Sequence, residues 1–255
     1  MSLLKHKKFV VTGAGGLLGA ELVRSILQFG GAVIATDLDY DRMVGCFSDE
    51  LRQTHNETLV FEDLDLNDEL AVRRFFSRET DIDGAVNASY PKNRAYGNHF
   101  FDVKLSDFNE NLALHLGSAF LFMQEVARYF KSNPKSFSLV NIASIYGVCT
   151  PDFSIYSETS MTMPVEYAAI KSGLLHLNRY VANYVADSRF RVNSVSPGGL
   201  LNDQSATFLE KYSSKTHGAG MLDASDISGA VRFLLSDHSK HITGQNLIID
   251  DGFTL

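Results

Sequence analysis

The sequence predicts an α/β fold, a single-domain, doubly wound parallel sheet with helices on both faces. Short runs rich in Val, Ile and Phe alternate with amphipathic helical patterns, which is typical of βαβ units. Gly, Asn, Asp or Ser follows several of these runs, where such sheets place turns and ligand sites. The 255 residues include no internal repeat, linker or low-complexity segment, so we expect one domain spanning residues 1–255.

Composition argues against several classes of protein. The formal charge of −7 argues against a nucleic-acid surface and against binding to anionic membranes. No apolar run reaches the length of a membrane span, and the N-terminal sequence lacks the apolar region of a signal peptide. Cys46 and Cys149 have no metal-ligand spacing, so we expect no metal and two reduced thiols of a cytoplasmic protein.

A glycine-rich turn follows the first predicted strand. The run Lys8–Thr12 leads into this turn, and an amphipathic helix, about Leu17–Phe29, follows it. This context is that of a dinucleotide fingerprint, since glycines let the backbone approach a pyrophosphate and the helix N-terminus faces its charge. An ordinary glycine-rich turn is the alternative. The residues expected to bind a cofactor here are Gly13, Gly15, Gly16, Leu17, Leu18 and Gly19.

An acidic residue ends the second predicted strand, Ala32–Thr36. The carboxylate of Asp37 can accept hydrogen bonds from both ribose hydroxyls of an adenosine, and it would repel a 2′-phosphate. The next residue is Leu38 and not a cation, so the sequence favours NAD over NADP. The alternative is that Asp37 only caps the next predicted helix, Tyr40–Gln53.

The third and fourth predicted strands also lead to candidate ligand residues. Leu59–Phe61 is followed by Asp65 and Leu66, an acceptor and an apolar side chain that could flank an adenine. The fourth strand, Gly84–Asn87, ends at the edge where ligands bind in open parallel sheets. The residues expected in the site there are Asn87, Ala88 and Ser89.

A loop and a long helix come next. The loop at 90–97 carries two cations and two tyrosines, and could contact an anionic or sugar-like substrate; a solvated surface loop is the alternative. The predicted helix, about Ser106–Phe130, places Asn111 and His115 four residues apart on one face. A lone helical histidine is more often structural than catalytic, so composition alone assigns His115 no role.

Three polar residues later in the chain suggest proton-transfer chemistry. Ser144 follows the fifth predicted strand, Phe137–Ile142, and emerges at the same edge as the glycine turn. Tyr167 and Lys171 share one face of a predicted helix, Val165–Asp187. An ammonium near a phenol should lower the tyrosine's pKa from about 10 and allow proton exchange near neutral pH. The alternative is a solvated helix surface.

The remaining chain completes the predicted sheet. A sixth strand, Arg191–Val195, is followed by a turn at 196–199. The polar stretch Leu200–Gly220 is expected to form a mobile lid. A helix, Ala224–Leu235, and a last strand, Asn246–Ile249, follow.

Together, these motifs resemble those of the short-chain dehydrogenase/reductase superfamily over essentially the whole chain. Each motif is weak alone, whereas their order along one chain is specific. The matching elements are Thr12-Gly13-x-x-Gly16-x-x-Gly19, Asp37, Asp65-Leu66, Asn87-Ala88, Ser144, Tyr167-x-x-x-Lys171, Pro197-Gly198 and Ile242-Thr243-Gly244-Gln245.

The resemblance implies a seven-stranded Rossmann-type sheet and an oxidoreductase with a nicotinamide cofactor. It implies that Tyr167 is the general acid/base, that Ser144 orients the substrate oxygen, and that Lys171 tunes the tyrosine and binds the nicotinamide ribose. Pro197 and Gly198 then belong to the cofactor site. It also implies a homo-oligomer, a tetramer or dimer, packed through the long helices and the C-terminal strand.

Three departures from the family pattern bear on these expectations. The family's fourth catalytic residue is an asparagine on the long helix that supports a proton relay. His115 falls at its position and Asn111 lies one turn earlier, so either is a candidate to replace it. The glycine pattern and residues 144–147 resemble the extended, sugar-nucleotide-modifying branch, although the chain is too short for that branch's substrate domain. The long gap before the tyrosine predicts that loop 150–163 enlarges or roofs the substrate pocket.

A narrower resemblance suggests a substrate class. Asn87–Pro91, Leu114–Ser118 and Met161–Tyr167 resemble flagellin-modification oxidoreductases of bacterial surface-glycan pathways. The first hypothesis is therefore an NAD-linked dehydrogenase or reductase acting on a sugar or sugar phosphate. The alternatives are an epimerase or dehydratase, which would retain its NAD tightly, and a catalytically weak NAD-binding partner protein, with which no hydroxy or keto sugar would change the NADH signal.

Overall fold

Seven parallel strands form one sheet in a computed structural model that describes residues 3–255; Met1 and Ser2 lie outside the described residues. The strand order within these residues is β3-β2-β1-β4-β5-β6-β7. The predicted doubly wound parallel sheet of about seven strands is therefore confirmed. The strands are β1 Lys8–Thr12, β2 Ala32–Asp37, β3 Leu59–Asp63, β4 Gly84–Asn87, β5 Phe137–Ile142, β6 Phe190–Pro197 and β7 Asn246–Ile249.

Helices cover both faces of the sheet. They are α1 Leu17–Gln28, α2 Tyr40–Gly45, α3 Asp49–Thr54, α4 Glu69–Arg78, α5 Leu105–Asn111, α6 Ser118–Ser132, α7 Val165–Val185, α8 Ala206–Ser213 and α9 Ala224–Leu235. Helices α1 and α9 pack on one face, and α4, α6 and α7 pack on the other. Side chains alternate along a strand, so β1 contributes to the cores on both faces. Phe9 and Val11 pack in the core beneath α1 and α9, whereas Val10 packs in the core beneath α4, α6 and α7.

The winding direction of the chain reverses at β1, which pairs with β2 on one side and β4 on the other. Such a reversal leaves a crevice at the carboxyl ends of the two diverging strands, where open α/β sheets bind ligands. Thr12 and Asn87 are register partners at this edge, and Thr12 Oγ1 donates to Asn87 Oδ1 at 2.9 Å. The reversal therefore brings the glycine turn next to the segment that follows β4.

The helix predicted at 40–53 is interrupted in the structure. The Oγ of Ser48 accepts a hydrogen bond from the Leu51 amide at 3.2 Å, and this cap begins α3 as a separate helix. The ring of Phe47 is buried and packs against Phe61, with 5.4 Å between the ring centroids. The prediction of one helix was wrong because the chain turns to bury this ring.

The long helix predicted at 106–130 contains a π-helical segment, Leu112–Gly117, between α5 and α6. A π turn places one extra residue in the helix and is frequent at functional sites. The segment includes His115, whose carbonyl accepts a hydrogen bond from Ser118 Oγ at 3.1 Å. Asn111 and His115 both face α7, as their spacing predicts, and they contact different residues there.

The stretch Leu200–Gly220, predicted to be a mobile lid, contains α8. Phe208 and Tyr212 of this helix are buried and pack against Ile155 and Tyr156 of the loop 150–163. This small apolar cluster attaches both segments to the carboxyl edge of the sheet. Within residues 3–255, every helix is too short or too polar to cross a lipid bilayer. The same residues contain no group of His, Cys, Asp or Glu placed to hold a metal ion.

Candidate active site

A cavity of about 790 Å³ opens at the carboxyl ends of the strands, across the crevice between β1 and β4. Most of the residues predicted for the site line its wall, whereas Gly15, Asn87, Asn111 and His115 do not. The predicted residues that line it are Gly13, Gly16, Leu17, Leu18, Gly19, Asp37, Asp65, Leu66, Ala88, Ser89, Ser144, Tyr167, Lys171, Pro197 and Gly198.

The glycine turn is too crowded for side chains. Gly13 has a φ of +68°, and a Cβ built on it would lie 2.7 Å from the Ala88 carbonyl oxygen. A Cβ on Gly19 would lie 2.0 Å from the Gly13 carbonyl oxygen. Gly16 precedes α1 without a capping side chain, which leaves the first amides of the helix for an anion. This turn fits the pyrophosphate of a dinucleotide.

Asp37 joins the end of β2 to the glycine turn. Its Oδ2 accepts a hydrogen bond from the Gly15 amide at 2.9 Å, and its Oδ1 accepts one from the Asp39 amide at 3.3 Å. The carboxylate also lines the cavity. The alternative role of Asp37 as a helix cap is wrong, because Asp39 caps α2 by accepting from the Arg42 amide at 3.0 Å.

Asn87 supports the site from behind its wall. Its Oδ1 accepts hydrogen bonds from Thr12 Oγ1 at 2.9 Å and from the Ser89 amide at 3.2 Å. The side chain thus fixes the ends of β1 and β4 and does not line the cavity. At the far end of the cavity, Asp65 Oδ1 accepts from the Asn67 amide at 2.8 Å and holds the turn that follows β3.

Ser144, Tyr167 and Lys171 converge at the other end of the cavity. The Ser144 side chain interacts with the Tyr167 phenol, and Lys171 Nζ lies 5.5 Å from the centroid of the Tyr167 ring. Lys171 Nζ also donates to the Ile142 carbonyl at 2.8 Å, which holds α7 against the end of β5. Gly147 permits the close approach, since a Cβ there would lie 2.8 Å from the Lys171 backbone.

Burial dominates the proton affinities of these groups. It raises the pKa of Tyr167, and the interaction with the Ser144 side chain lowers that pKa only in part. Burial also lowers the pKa of Lys171 to about 7, so the amine is only partly charged at neutral pH. The expectation that Lys171 lowers the pKa of Tyr167 is therefore wrong here, because desolvation of the phenolate is the largest effect and raises that pKa.

The lowered pKa of Lys171 predicts a pH-dependent stability. In the unfolded chain this lysine has a pKa of about 10.4 and keeps its proton above pH 7. In the folded chain the same lysine has released that proton. The free energy of unfolding should therefore rise with pH between about 7 and 10, by up to about 1.4 kcal/mol per pH unit. We expect Lys171→Met to lose this rise in urea unfolding measured at pH 6, 8 and 9.5. The exposed-lysine control, Lys240→Met, should keep it; an equal pH slope in Lys171→Met and wild type would contradict the assignment.

His115 lies behind Lys171. Its Nε2 is 3.4 Å from Lys171 Nζ, and its ring packs edge-on against Tyr90, with 5.2 Å between centroids. Burial, with the nearby Lys171 charge, lowers the pKa of His115 to about 2, so the imidazole is neutral. Among residues 3–255, its Nδ1 has no hydrogen-bond partner. A neutral imidazole in this place can accept a hydrogen bond from the lysine.

Asn111 belongs to a different network. Its Nδ2 donates to Glu166 Oε1 and to Asn93 Oδ1, both at 3.1 Å, and its Oδ1 accepts from the Asn93 amide at 2.9 Å. Glu166 is fully buried, and its Oε2 has no hydrogen-bond partner within the described chain. Of the two residues predicted to replace the family's asparagine, only His115 contacts Lys171, whereas Asn111 links the loop 90–97 to α7.

Sequence reasoning identified the loops around the substrate end of the cavity and missed most of their lining side chains. Loop 150–163 does border the cavity, as its extra length predicts. These loops show no regular apolar periodicity, so the sequence carries no signal for which side chains turn inward. Tyr90 and Lys92 line the cavity and belong to the loop at 90–97 that was expected to contact the substrate. The lining residues that were not singled out include Tyr156, Met161, Met163, Asn202, Gln204, Phe208 and Tyr212.

Comparison with known proteins agrees with this geometry. A family model described as enoyl-(acyl carrier protein) reductase matches residues 13–254. The structure is also similar to a short-chain dehydrogenase from Leptospira borgpetersenii serovar Hardjo-bovis with bound NAD+, with a TM-score of 0.84 and 32% identity, covering 99% of this chain and 94% of that one. The chain therefore belongs to the short-chain dehydrogenase/reductase superfamily and is an oxidoreductase that uses a nicotinamide cofactor.

A particular relative supports the narrower resemblance. Post-translational flagellin modification protein A of Campylobacter coli is 36% identical over 258 residues, covering 99% of this chain and 100% of the relative. A gluconate 5-dehydrogenase from Burkholderia cenocepacia, solved with NADP and tartrate, has a TM-score of 0.83 at 21% identity, covering 99% of this chain and 97% of that one. The second likeness shows the shared fold alone. The resemblances to the superfamily and to flagellin-modification oxidoreductases are both confirmed.

Proposed function

We propose that the protein is an NAD-dependent dehydrogenase or reductase that interconverts a hydroxyl and a ketone on a sugar or sugar phosphate. The observation that carries this proposal is the meeting of Ser144, Tyr167 and Lys171 on the wall of a cavity that also reaches Asp37. The similarity to a flagellin modification protein supports a substrate from a pathway that builds bacterial surface glycans.

The residues of the cavity wall suit the parts of NAD in order. We assign the pyrophosphate to the turn Gly13–Gly19, the adenosine ribose to Asp37, and the adenine to Asp65 and Leu66. The nicotinamide half is assigned to Ala88 and Ser89 with Tyr167, Lys171, Pro197 and Gly198. Bound there, NAD supplies the two-electron chemistry at the carbinol carbon. Gly15 and Asn87 support the site indirectly, through Asp37 and through the strand ends.

Tyr167 is assigned the proton transfer. In oxidation it takes the proton from the substrate hydroxyl, and in reduction it returns a proton to the carbonyl oxygen. The raised pKa of Tyr167 keeps the phenol protonated, which suits the donor role in reduction. The Ser144 hydroxyl donates to the same substrate oxygen and stabilises the charge that develops on it.

His115 is assigned to hold Lys171 in place of the family's asparagine. Its neutral Nε2 accepts a hydrogen bond from Lys171 Nζ, which is also held by the Ile142 carbonyl. Two acceptors fix the amine below the Tyr167 ring. Asn111 is assigned a positioning role, through Asn93 and Glu166, and no direct contact with the reacting atoms.

The choice of NAD over NADP depends on Asp37, and removing its charge tests it. We expect Asp37→Asn to raise the KM for NAD about tenfold and to leave the KM for NADP unchanged or lower, since repulsion of the 2′-phosphate is lost. Asp63→Asn is the matched control, because Asp63 ends the neighbouring strand and does not line the cavity. Equal KM changes for NAD and NADP in Asp37→Asn would contradict the assignment.

The reaction itself is tested with a substrate panel. Keto, hydroxy and amino sugars and their phosphates are incubated with the protein and NAD or NADH, and absorbance of NADH is followed. We expect turnover with at least one sugar. Mass spectrometry of the purified protein completes the test, because NAD that stays bound through turnover would favour an epimerase or dehydratase. No absorbance change with any sugar would contradict the proposal.

We also propose that the protein forms a homo-oligomer, a dimer or tetramer, in the bacterial cytoplasm. Large apolar side chains are exposed at and beside the helices that the sequence analysis expected to pack between subunits. Phe101 and Leu105 are 95% and 74% exposed, and Tyr184 of α7 is 69% exposed. Covering such a surface with a second copy would remove apolar area from water. Sedimentation equilibrium measures the oligomeric state directly.

A further inference from the structure

Lys92 places a cation on the cavity wall close to the proposed acid/base residue. Its Nζ lies 5.5 Å from the centroid of the Tyr90 ring and 5.7 Å from that of Tyr96. Tyr90 in turn packs edge-on against Tyr167, with 5.6 Å between the ring centroids. One aromatic ring therefore separates the Lys92 ammonium from the phenol that exchanges the proton.

The charge of Lys92 is not neutralised by a carboxylate. Within residues 3–255, the contacts of its ammonium are with the two tyrosine rings. Burial raises the pKa of both Tyr90 and Tyr96, so these phenols stay neutral and add no negative charge. The described acidic residues that line the cavity are Asp37, Asp39 and Asp65, which belong to its adenosine end. Glu110 and Glu166 do not line the cavity, and they accept hydrogen bonds from Asn93 and Asn111. Lys92 therefore presents a positive charge on the wall of the substrate end, which suits an anion.

The loop that carries Lys92 is fixed to the catalytic helix. The neighbouring residue, Asn93, exchanges hydrogen bonds with Asn111 through both its backbone amide and its side chain. Asn111 donates to the buried carboxylate of Glu166, the residue before Tyr167 in α7. A loop held by hydrogen bonds at two points loses little backbone freedom on binding, so the backbone that carries the cation is preorganised for a ligand.

We propose that Lys92 binds an anionic group, a carboxylate or a phosphate, on the substrate. The network of Asn93, Asn111 and Glu166 holds the loop of Lys92 against the helix of Tyr167, so one substrate can place its anionic group at Lys92 and its reacting carbon at Tyr167. This inference rests on the proposed function and narrows its substrate to an acidic or phosphorylated sugar. Lys92 is a specificity residue in this account, and it takes no part in the proton transfer.

Binding to the NADH-loaded protein tests the proposal without requiring turnover. The probes are glucose, glucuronate and glucose 6-phosphate, which share one ring and differ in charge, and isothermal titration gives the dissociation constant of each. We expect at least one of the two anions to bind about tenfold more tightly than glucose. The preference should weaken as salt rises from about 50 to about 500 mM, because the lysine is exposed to solvent. Comparison of the dissociation constants of glucuronate and glucose 6-phosphate shows whether the site prefers a carboxylate or a phosphate.

Substitution of Lys92 provides the decisive comparison. Lys92→Met keeps an unbranched chain over the two rings and removes the charge. The dissociation constants of the anion and of glucose should then differ by no more than about twofold. Arg94→Met is the matched control, because Arg94 is a cation of the same loop that is exposed and does not line the cavity. It should keep the wild-type preference.

Two outcomes would overturn the inference. One is that neither anion binds more tightly than glucose to the wild type, and the other is that Lys92→Met keeps the full preference. These outcomes are distinct from failure of the proposed function, which is measured by NADH turnover. If the anion preference depends on Lys92 but no sugar is turned over, the anion site is retained and the proposed reaction on a sugar is contradicted.

Discussion

The variant Tyr167→Phe should lose turnover by about 10²–10⁴-fold, the range that general acid–base catalysis contributes. It removes the hydroxyl that exchanges a proton with the substrate and leaves the ring that packs against Tyr90 at 5.6 Å. The dissociation constant for NAD should change little, since the turn at residues 13–19 and Asp37 are untouched. Steady-state kinetics with the best sugar of the panel, together with fluorescence titration of NADH, measure the two quantities.

The control for this variant lies on the same helix. Tyr184 is 69% exposed and its ring stacks on that of Tyr180, so Tyr184→Phe removes a hydroxyl far from the cavity. Its turnover should match that of the wild type. Turnover near the wild-type rate in Tyr167→Phe would refute the assignment of the acid/base residue, whereas loss of NADH binding would show that the variant had damaged the cofactor site instead.

The second large effect is expected for Gly19→Ala. A Cβ at this position would lie 2.0 Å from the Gly13 carbonyl oxygen, a separation that no relaxed structure permits, so the turn must open. We expect the dissociation constant for NAD to rise at least about tenfold and the free energy of unfolding to fall by about 1–3 kcal/mol. Titration with NADH and urea unfolding measure the two effects separately.

Gly45→Ala is the control for the glycine substitution. A Cβ on Gly45 meets no described atom within 4 Å, and the residue ends a helix, so alanine should be tolerated or slightly stabilising. Its NADH affinity should equal that of the wild type. If Gly19→Ala bound NADH as tightly as Gly45→Ala and unfolded at the same urea concentration, the turn would not be the close-packed pyrophosphate cradle described above.

The strands were predictable because each is a short apolar run between turn residues. The predicted bounds of β1, β4, β5 and β7 agree with the structure. The interruptions of helices were not predictable, since they depend on tertiary contacts. The chain breaks between α2 and α3 to bury Phe47, and the π segment at 112–117 changes the helix where His115 meets Lys171. Local periodicity records neither contact.

The site residues that lie at the carboxyl ends of strands were predictable from the sequence. Ser144 and the glycine turn follow two strands and Asp37 ends a third, and a parallel sheet brings those strand ends to one edge. The proton affinities were not predictable, because they depend on burial. The spacing of Tyr167 and Lys171 suggested a lowered tyrosine pKa, whereas desolvation raises it. The separate partners of Asn111 and His115 also required side-chain positions.

The apolar cluster that joins the two loops at the substrate end has an evolutionary consequence. Tyr156 and Met163 come from one loop, and Phe208 and Tyr212 come from α8, so each loop supplies the packing surface of the other. A substitution that reshapes one loop therefore leaves a void or a clash under the other. Descendants of this protein that acquire a new substrate should therefore change the loop 150–163 and α8 together. Chimaeras that exchange only one of these segments should be less stable than chimaeras that exchange both.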